Sequence, residues 1–130
     1  MELWKKIMKR FEWIVLDLDG TIIDSTNELY EIYKTFLKEF KFKGTKNEFN
    51  RLNGPKLEDI ISILKIKYNI KEKKSDLLYN YNKKIQFAYK NKITPKKNAR
   101  KLLEFLRKKQ YEIGLVTSSC RKNTNLVLKK

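Results

Sequence analysis

The stretch Trp13-Ile14-Val15-Leu16-Asp17-Leu18-Asp19-Gly20-Thr21 decides how this chain is read. Four apolar residues, aromatic and β-branched among them, run directly into two aspartates one residue apart. A short continuous apolar run of this kind predicts a strand buried on both faces. A buried strand has no place for a carboxylate, so the strand is expected to end as Asp17 begins. Side chains alternate along an extended chain, which puts Asp17 and Asp19 on the same side. Gly20 then permits a sharp change of direction. The expectation is two carboxylates presented together at the carboxyl end of a central strand, where open α/β sheets place their ligands.

Working outward, the composition bounds the possibilities. At 130 residues the chain holds one modest core, or a small core plus an insert. No apolar run approaches the ~20 residues that span a bilayer, and no secretory signal is read, because the first long apolar run contains the aspartate pair. A single cysteine, Cys120, excludes an internal disulfide framework and fits a reducing, cytoplasmic setting. The chain has no histidine, which removes histidine-based triads and the usual zinc sites. The net charge of +16 raises the question of a nucleic-acid or anionic membrane surface. Of the 31 basic residues only five are arginine, the residue that nucleic-acid readers lean on for bidentate contacts. The lysines are spread over every predicted helix, so compositional bias accounts for the charge better than a binding patch does.

In chain order, Leu3, Trp4, Ile7, Met8 and Phe11 form one helical stripe among basic residues, the pattern of a short arm packed on the domain. Ser25 and Glu28 have the spacing of a capping box, opening a helix whose apolar face is Leu29, Ile32, Tyr33, Phe36, Leu37 and Phe40. Gly44 is expected to close it. Thr45 and Glu48 make a second such box. Asn53-Gly54-Pro55 is a turn, with Pro55 placed as a first helical residue. Leu57, Ile60, Ile61, Leu64 and Tyr68 mark a further helix. Ser75 is a candidate cap for the next, along Leu78, Tyr81, Ile85, Ala88 and Tyr89. Residues 25–90 thus read as an all-helical insert. Ile93-Thr94-Pro95 is extended, and Ala99, Leu102, Leu103 and Leu106 give a helix over about 96–109. A second strand, Tyr111 to Thr117, runs into Ser118-Ser119, and Leu126 and Val127 sit on a last helix.

Asp17-Leu18-Asp19-Gly20-Thr21 after an apolar strand resembles the first motif of the haloacid dehalogenase-like (HAD) hydrolases. In the helical-capped phosphatases of that superfamily, the phosphoglycolate phosphatase and β-phosphoglucomutase-like type, a helical cap follows almost at once. A Pro-bearing segment and a helix then lead to a second strand ending in Thr or Ser. The same order runs here from about residue 12 to the last residue. The resemblance implies an α/β fold: an incomplete Rossmann-like parallel sheet with an inserted all-helical cap. Its domains would be a discontinuous core, 1–24 and 91–130, and a cap, 25–90. It implies a Mg²⁺-dependent phosphomonoester hydrolase acting on a small phosphorylated metabolite. Asp17 matches the nucleophile that becomes an aspartyl-phosphate, and Asp19 the general acid and base. The Asp17 carboxylate and the Asp19 main-chain carbonyl would hold Mg²⁺. Thr117, with Ser118 following, matches the second-motif group that binds the phosphoryl oxygens.

The family pattern needs two further motifs downstream, one supplying a Lys and one supplying acidic metal ligands. Only residues 118–130 follow Thr117, and the last acidic residue, Glu112, precedes it. No residue here matches either motif, so the chain is expected to hold only the first part of the core. This leaves an alternative: a catalytically incomplete binding or assembly module, completed by a second chain or a dimer partner that covers the open sheet. A basic nucleic-acid binder is the remaining class.

Overall fold

The structure, a computed structural model, describes residues 13–129. The amphipathic stripe read over Leu3 to Phe11 lies outside the described residues. The elements are β1 (Trp13–Asp17), α1 (Thr26–Glu39), α2 (Lys46–Arg51), α3 (Leu57–Lys67), α4 (Lys74–Asn91), α5 (Ala99–Lys108), β2 (Glu112–Val116) and α6 (Arg121–Leu128). They fall into two compact units, residues 13–24 with 95–117, and residues 25–94 with 118–129.

The first unit holds the sheet. β1 and β2 pair in parallel, in the register Trp13↔Glu112 through Asp17↔Val116. Parallel strands require a crossover, and α5 is the helix that leads into β2 and packs on it, burying Ala99 and Leu106. The strand was expected to be covered on both faces and to be central. Neither holds among the described residues. β1 pairs with β2 alone, and on one face Trp13, Val15 and Val116 are each about 60% exposed. Ile14 and Leu16, on the other face, are half-buried. Covering a parallel sheet on both sides takes a helix layer on each, and the described residues of this unit contribute one helix.

The second unit is helical throughout, as its sequence predicts. α1 buries Ile32, Tyr33, Phe36 and Leu37, α3 buries Ile61 and Leu64, and α4 buries Leu77, Tyr81, Ala88 and Tyr89. Phe36 meets Tyr81 edge-on, ring centroids 5.0 Å apart. α1 and α4 are also tied by Glu39, which accepts from Lys84 at 2.6 Å and from Asn80 at 2.7 Å. α6 packs on α4, with Asn123 Nδ2 donating to Asn82 Oδ1 at 3.0 Å and the Tyr89 and Ser119 hydroxyls paired at 3.0 Å. Residues 91–94 and 118–129 therefore group with the helices, where the sequence reading set 91–130 beside the sheet.

Several helix ends differ from expectation. Ser25 precedes α1, but its hydroxyl caps nothing and is buried without a partner. Glu28 pairs with Lys92 at 3.6 Å. α3 starts two residues after Pro55, and α4 starts before Ser75. α1 ends at Glu39, and Lys41, not a glycine, takes the left-handed conformation beyond it. Only Thr45 caps as read, its Oγ1 accepting from the Glu48 N–H at 3.2 Å.

Candidate active site

The site is built where β1 runs out. Asp17 is the last residue of the strand and its side chain is exposed. Leu18 plunges into the core and is fully buried. Its carbonyl accepts from three successive amides, those of Thr21, Ile22 and Ile23, at 3.0–3.2 Å. The chain must coil tightly to bring three donors to one oxygen. Gly20 makes this possible at φ +76°, a region that L side chains rarely adopt, and its own N–H donates to the Ile23 carbonyl at 3.0 Å. Asp19 sits in this turn, half-buried, and bridges to Ile23. The turn is held from behind by 95–96: Ile23 bridges Pro95, and Lys96 N–H donates to the Ile22 carbonyl at 2.8 Å.

Two consequences follow for the candidate residues. The Thr21 hydroxyl comes back to Asp17 and donates to its Oδ2 at 3.4 Å. From the sequence Thr21 stands only as the last residue of a motif, with no role of its own. The signal is in the sequence, since a tight turn after a strand end returns the fifth residue toward the first. Second, the register Asp17↔Val116 places Thr117 directly beyond the carboxyl end of β2, beside the end of β1. Asp17, Asp19, Thr21 and Thr117 thus share one compact unit. Ser118, the other residue read as phosphate-binding, begins the helical unit.

The candidate donors along this strand end and turn are all oxygen: the Asp17 carboxylate, the Asp19 carboxylate and carbonyl, and the Thr21 hydroxyl. Hard oxygen donors suit Mg²⁺, which is held by one or two carboxylates and keeps several waters. Among the described residues no cluster of three His, Cys, Asp or Glu side chains could hold a metal. Two carboxylates, a carbonyl and a hydroxyl nonetheless fit such a cation in kind, with the rest of its coordination left to water or ligand oxygens.

The sequence profile of the haloacid dehalogenase-like hydrolases matches residues 14–130, nearly the whole chain. The chain belongs to that family. It is 28% identical, over 97 residues, to the 6-phosphogluconate phosphatase of Escherichia coli (strain K12), covering 74% of this chain and 44% of that protein. Its fold is similar to that of a hydrolase from Pseudomonas syringae, with a TM-score of 0.72 at 21% identity over 92% of this chain and 55% of the other. A HAD family hydrolase from Deinococcus radiodurans R1, solved with bound phosphate and sodium, gives a TM-score of 0.61 at 19% identity, over 92% and 52% of the two chains. This HAD chain thus spans about half the length of the relatives it matches. The family match begins within β1 and carries Asp17, Asp19 and Thr117 inside it. No helix among the described residues is long and apolar enough to cross a membrane.

Proposed function

We propose that this chain carries the nucleophilic part of a HAD-type phosphomonoester hydrolase. The observation that supports it most is Asp17: a carboxylate at the end of a strand, restrained by a hydroxyl, beside the carboxyl end of β2 and inside the family match. In this reading an Asp17 oxygen attacks phosphorus as the ester P–O bond breaks, giving an aspartyl-phosphate. Asp19 gives its proton to the leaving oxygen and later takes one from the water that cleaves the acyl phosphate. The Thr117 hydroxyl and the Ser118 N–H donate to the phosphoryl oxygens. Mg²⁺, when held by Asp17 and the Asp19 carbonyl, offsets the repulsion between a carboxylate and an anionic substrate. The substrate class is a small phosphorylated metabolite. The functional division is proposed as read from the sequence, with a core of 1–24 and 91–130 and a cap of 25–90.

Hydrolysis of p-nitrophenyl phosphate by the purified chain, with and without Mg²⁺, tests this reading. Metal-dependent turnover that Asp17→Asn abolishes supports it. Turnover unchanged in Asp17→Asn overturns it. A second reading is favoured by the uncovered face of the sheet, Trp13, Val15 and Val116. Here the chain is an assembly module that acts when a further polypeptide or a second copy covers that face. It is tested by whether turnover appears only in a defined complex.

A further inference from the structure

Residues 117–120 join β2 to α6 without regular structure. The Ser118 N–H lies in this link, and the proposed hydrolysis asks it to donate to a phosphoryl oxygen. A donor of that kind is effective when it is aimed beforehand, and a link beyond the end of the β2 ladder gets no aim from strand pairing. Within the helical unit α4 grips the link from the side. The Tyr89 hydroxyl and Ser119 Oγ lie 3.0 Å apart, one residue past Ser118. In the first turn of α6, Asn123 Nδ2 donates to Asn82 Oδ1 at 3.0 Å, and the Thr124 N–H donates to the Cys120 carbonyl at 3.0 Å. Asn82 and Tyr89 lie about two turns apart on one face of α4, so one rigid helix holds both the bend and the helix that follows it. Tyr89 is 1% exposed, and its packed ring fixes where its oxygen stands.

We propose that Tyr89 is a positioning residue. Through Ser119 it holds the bend that carries the Ser118 N–H, so that α4 sets the aim of that amide toward a phosphoryl group. The phosphate role of Ser118 rests on the proposed hydrolase function; the hold on the bend does not. Tyr81 supplies the internal comparison. It lies on the same helix and is also buried, at 6% exposure, but its ring packs edge-on against Phe36. Of the two tyrosines, Tyr89 is the one whose hydroxyl reaches the bend.

The test combines two measurements on the ¹⁵N-labelled chain: exchange of the Ser118 amide with water, and titration with inorganic phosphate in the presence of Mg²⁺. In the parent chain phosphate should shift the Ser118 amide saturably. Tyr89→Phe and Ser119→Ala should each speed Ser118 exchange and weaken phosphate binding by about five- to tenfold, the size of one net hydrogen bond. The two effects should not add in the double variant. Ser119→Thr, which keeps the hydroxyl, should behave as the parent, and Tyr81→Phe should leave both readouts unchanged. Unchanged Ser118 exchange in Tyr89→Phe, or an equal change in Tyr81→Phe, would overturn the proposal. Faster exchange in a chain whose Ser118 amide phosphate never shifts would leave the hold by Tyr89 in place and remove the phosphate role of Ser118, so the two readings fail separately.

Discussion

Gly44 backs onto the ring of Tyr33: a Cβ at position 44 would fall inside the van der Waals shells of the ring carbons Cε1 and Cζ and of the phenol oxygen. Tyr33 is fully buried, so its ring has nowhere to retreat. Gly44→Ala should therefore destabilise the helical unit by about 1–3 kcal/mol, the cost of overpacking a close-packed site. Urea denaturation followed by circular dichroism measures it. An unchanged midpoint would mean that the 40–45 segment can shift away from the ring.

Glu48 gathers the same region from the other side. Its carboxylate accepts from the Tyr33 hydroxyl, accepts from the Tyr68 hydroxyl at 2.8 Å, and pairs with Lys67. Burial, and then the neighbouring Tyr68, push the Tyr33 phenol well above the ordinary tyrosine range, so it stays a donor. Glu48→Ala leaves a buried hydroxyl unpaired and should cost about 1–3 kcal/mol. In a double-mutant cycle, Tyr33→Phe should cost less in the Glu48→Ala background than alone. Strict additivity would show that the two groups are not coupled.

Glu39 links stability to acid. Burial would raise its pKa, but hydrogen bonds from Lys84 and Asn80 outweigh it and hold the carboxylate below its usual value of 4.5. A group depressed in the folded state contributes stability above its unfolded pKa and loses it as pH falls through the folded one. The α1–α4 contact should thus weaken below about pH 4.5. Glu39→Gln should remove that part of the acid slope, as read from melting temperature against pH.

At the strand end, Thr21→Val deletes the hydroxyl on Asp17 while keeping the shape of the side chain. The bond is exposed and 3.4 Å long, so the effect on the proposed hydrolysis should be mild, a fall in kcat/KM of up to about tenfold, or ~1.4 kcal/mol. A loss as deep as that of Asp17→Asn would instead mean that Thr21 shapes the whole turn. Equal melting temperatures for Thr21→Val and the parent chain would separate the two cases.

The uncovered face of the sheet is open to direct challenge. Val15 and Val116 are about 60% exposed, on strands with no lysine among Trp13–Asp17 or Glu112–Val116. Val15→Lys should lower self-association at high protein concentration with little change in the melt, because an exposed apolar strand invites pairing. Light scattering against concentration decides the matter.

What could be read from the chain follows the range of the interaction. β1, the turn at Gly20 and the apolar stripes of the long helices are local patterns, and they appear where the residues place them. The proximity of Asp17 and Thr117 was legible only through the order of elements that the family shares. The exposure of β1 was not, since an apolar run reads the same whether its face is packed against another layer or left open, as at Trp13 and Val15. Ser25 carries the right residue for a cap, but it was drawn into the interior, where its hydroxyl meets no donor or acceptor. The Glu48 hub joins α1, α2 and α3, and no spacing rule predicts a carboxylate shared by two tyrosines and a lysine. Gly44 was read as a helix stop because glycine does that often, whereas here its value is the room it leaves for a ring.

The Leu18 carbonyl, which collects three amides, makes the loop behind Asp17 redundant in its fastening: breaking one of the three links leaves two. A loop tied in this way keeps its form in the free protein, and a guest arriving there finds the surrounding peptide groups already arranged. Little freedom is then surrendered on arrival, so tightness of attachment is governed by what the guest itself offers.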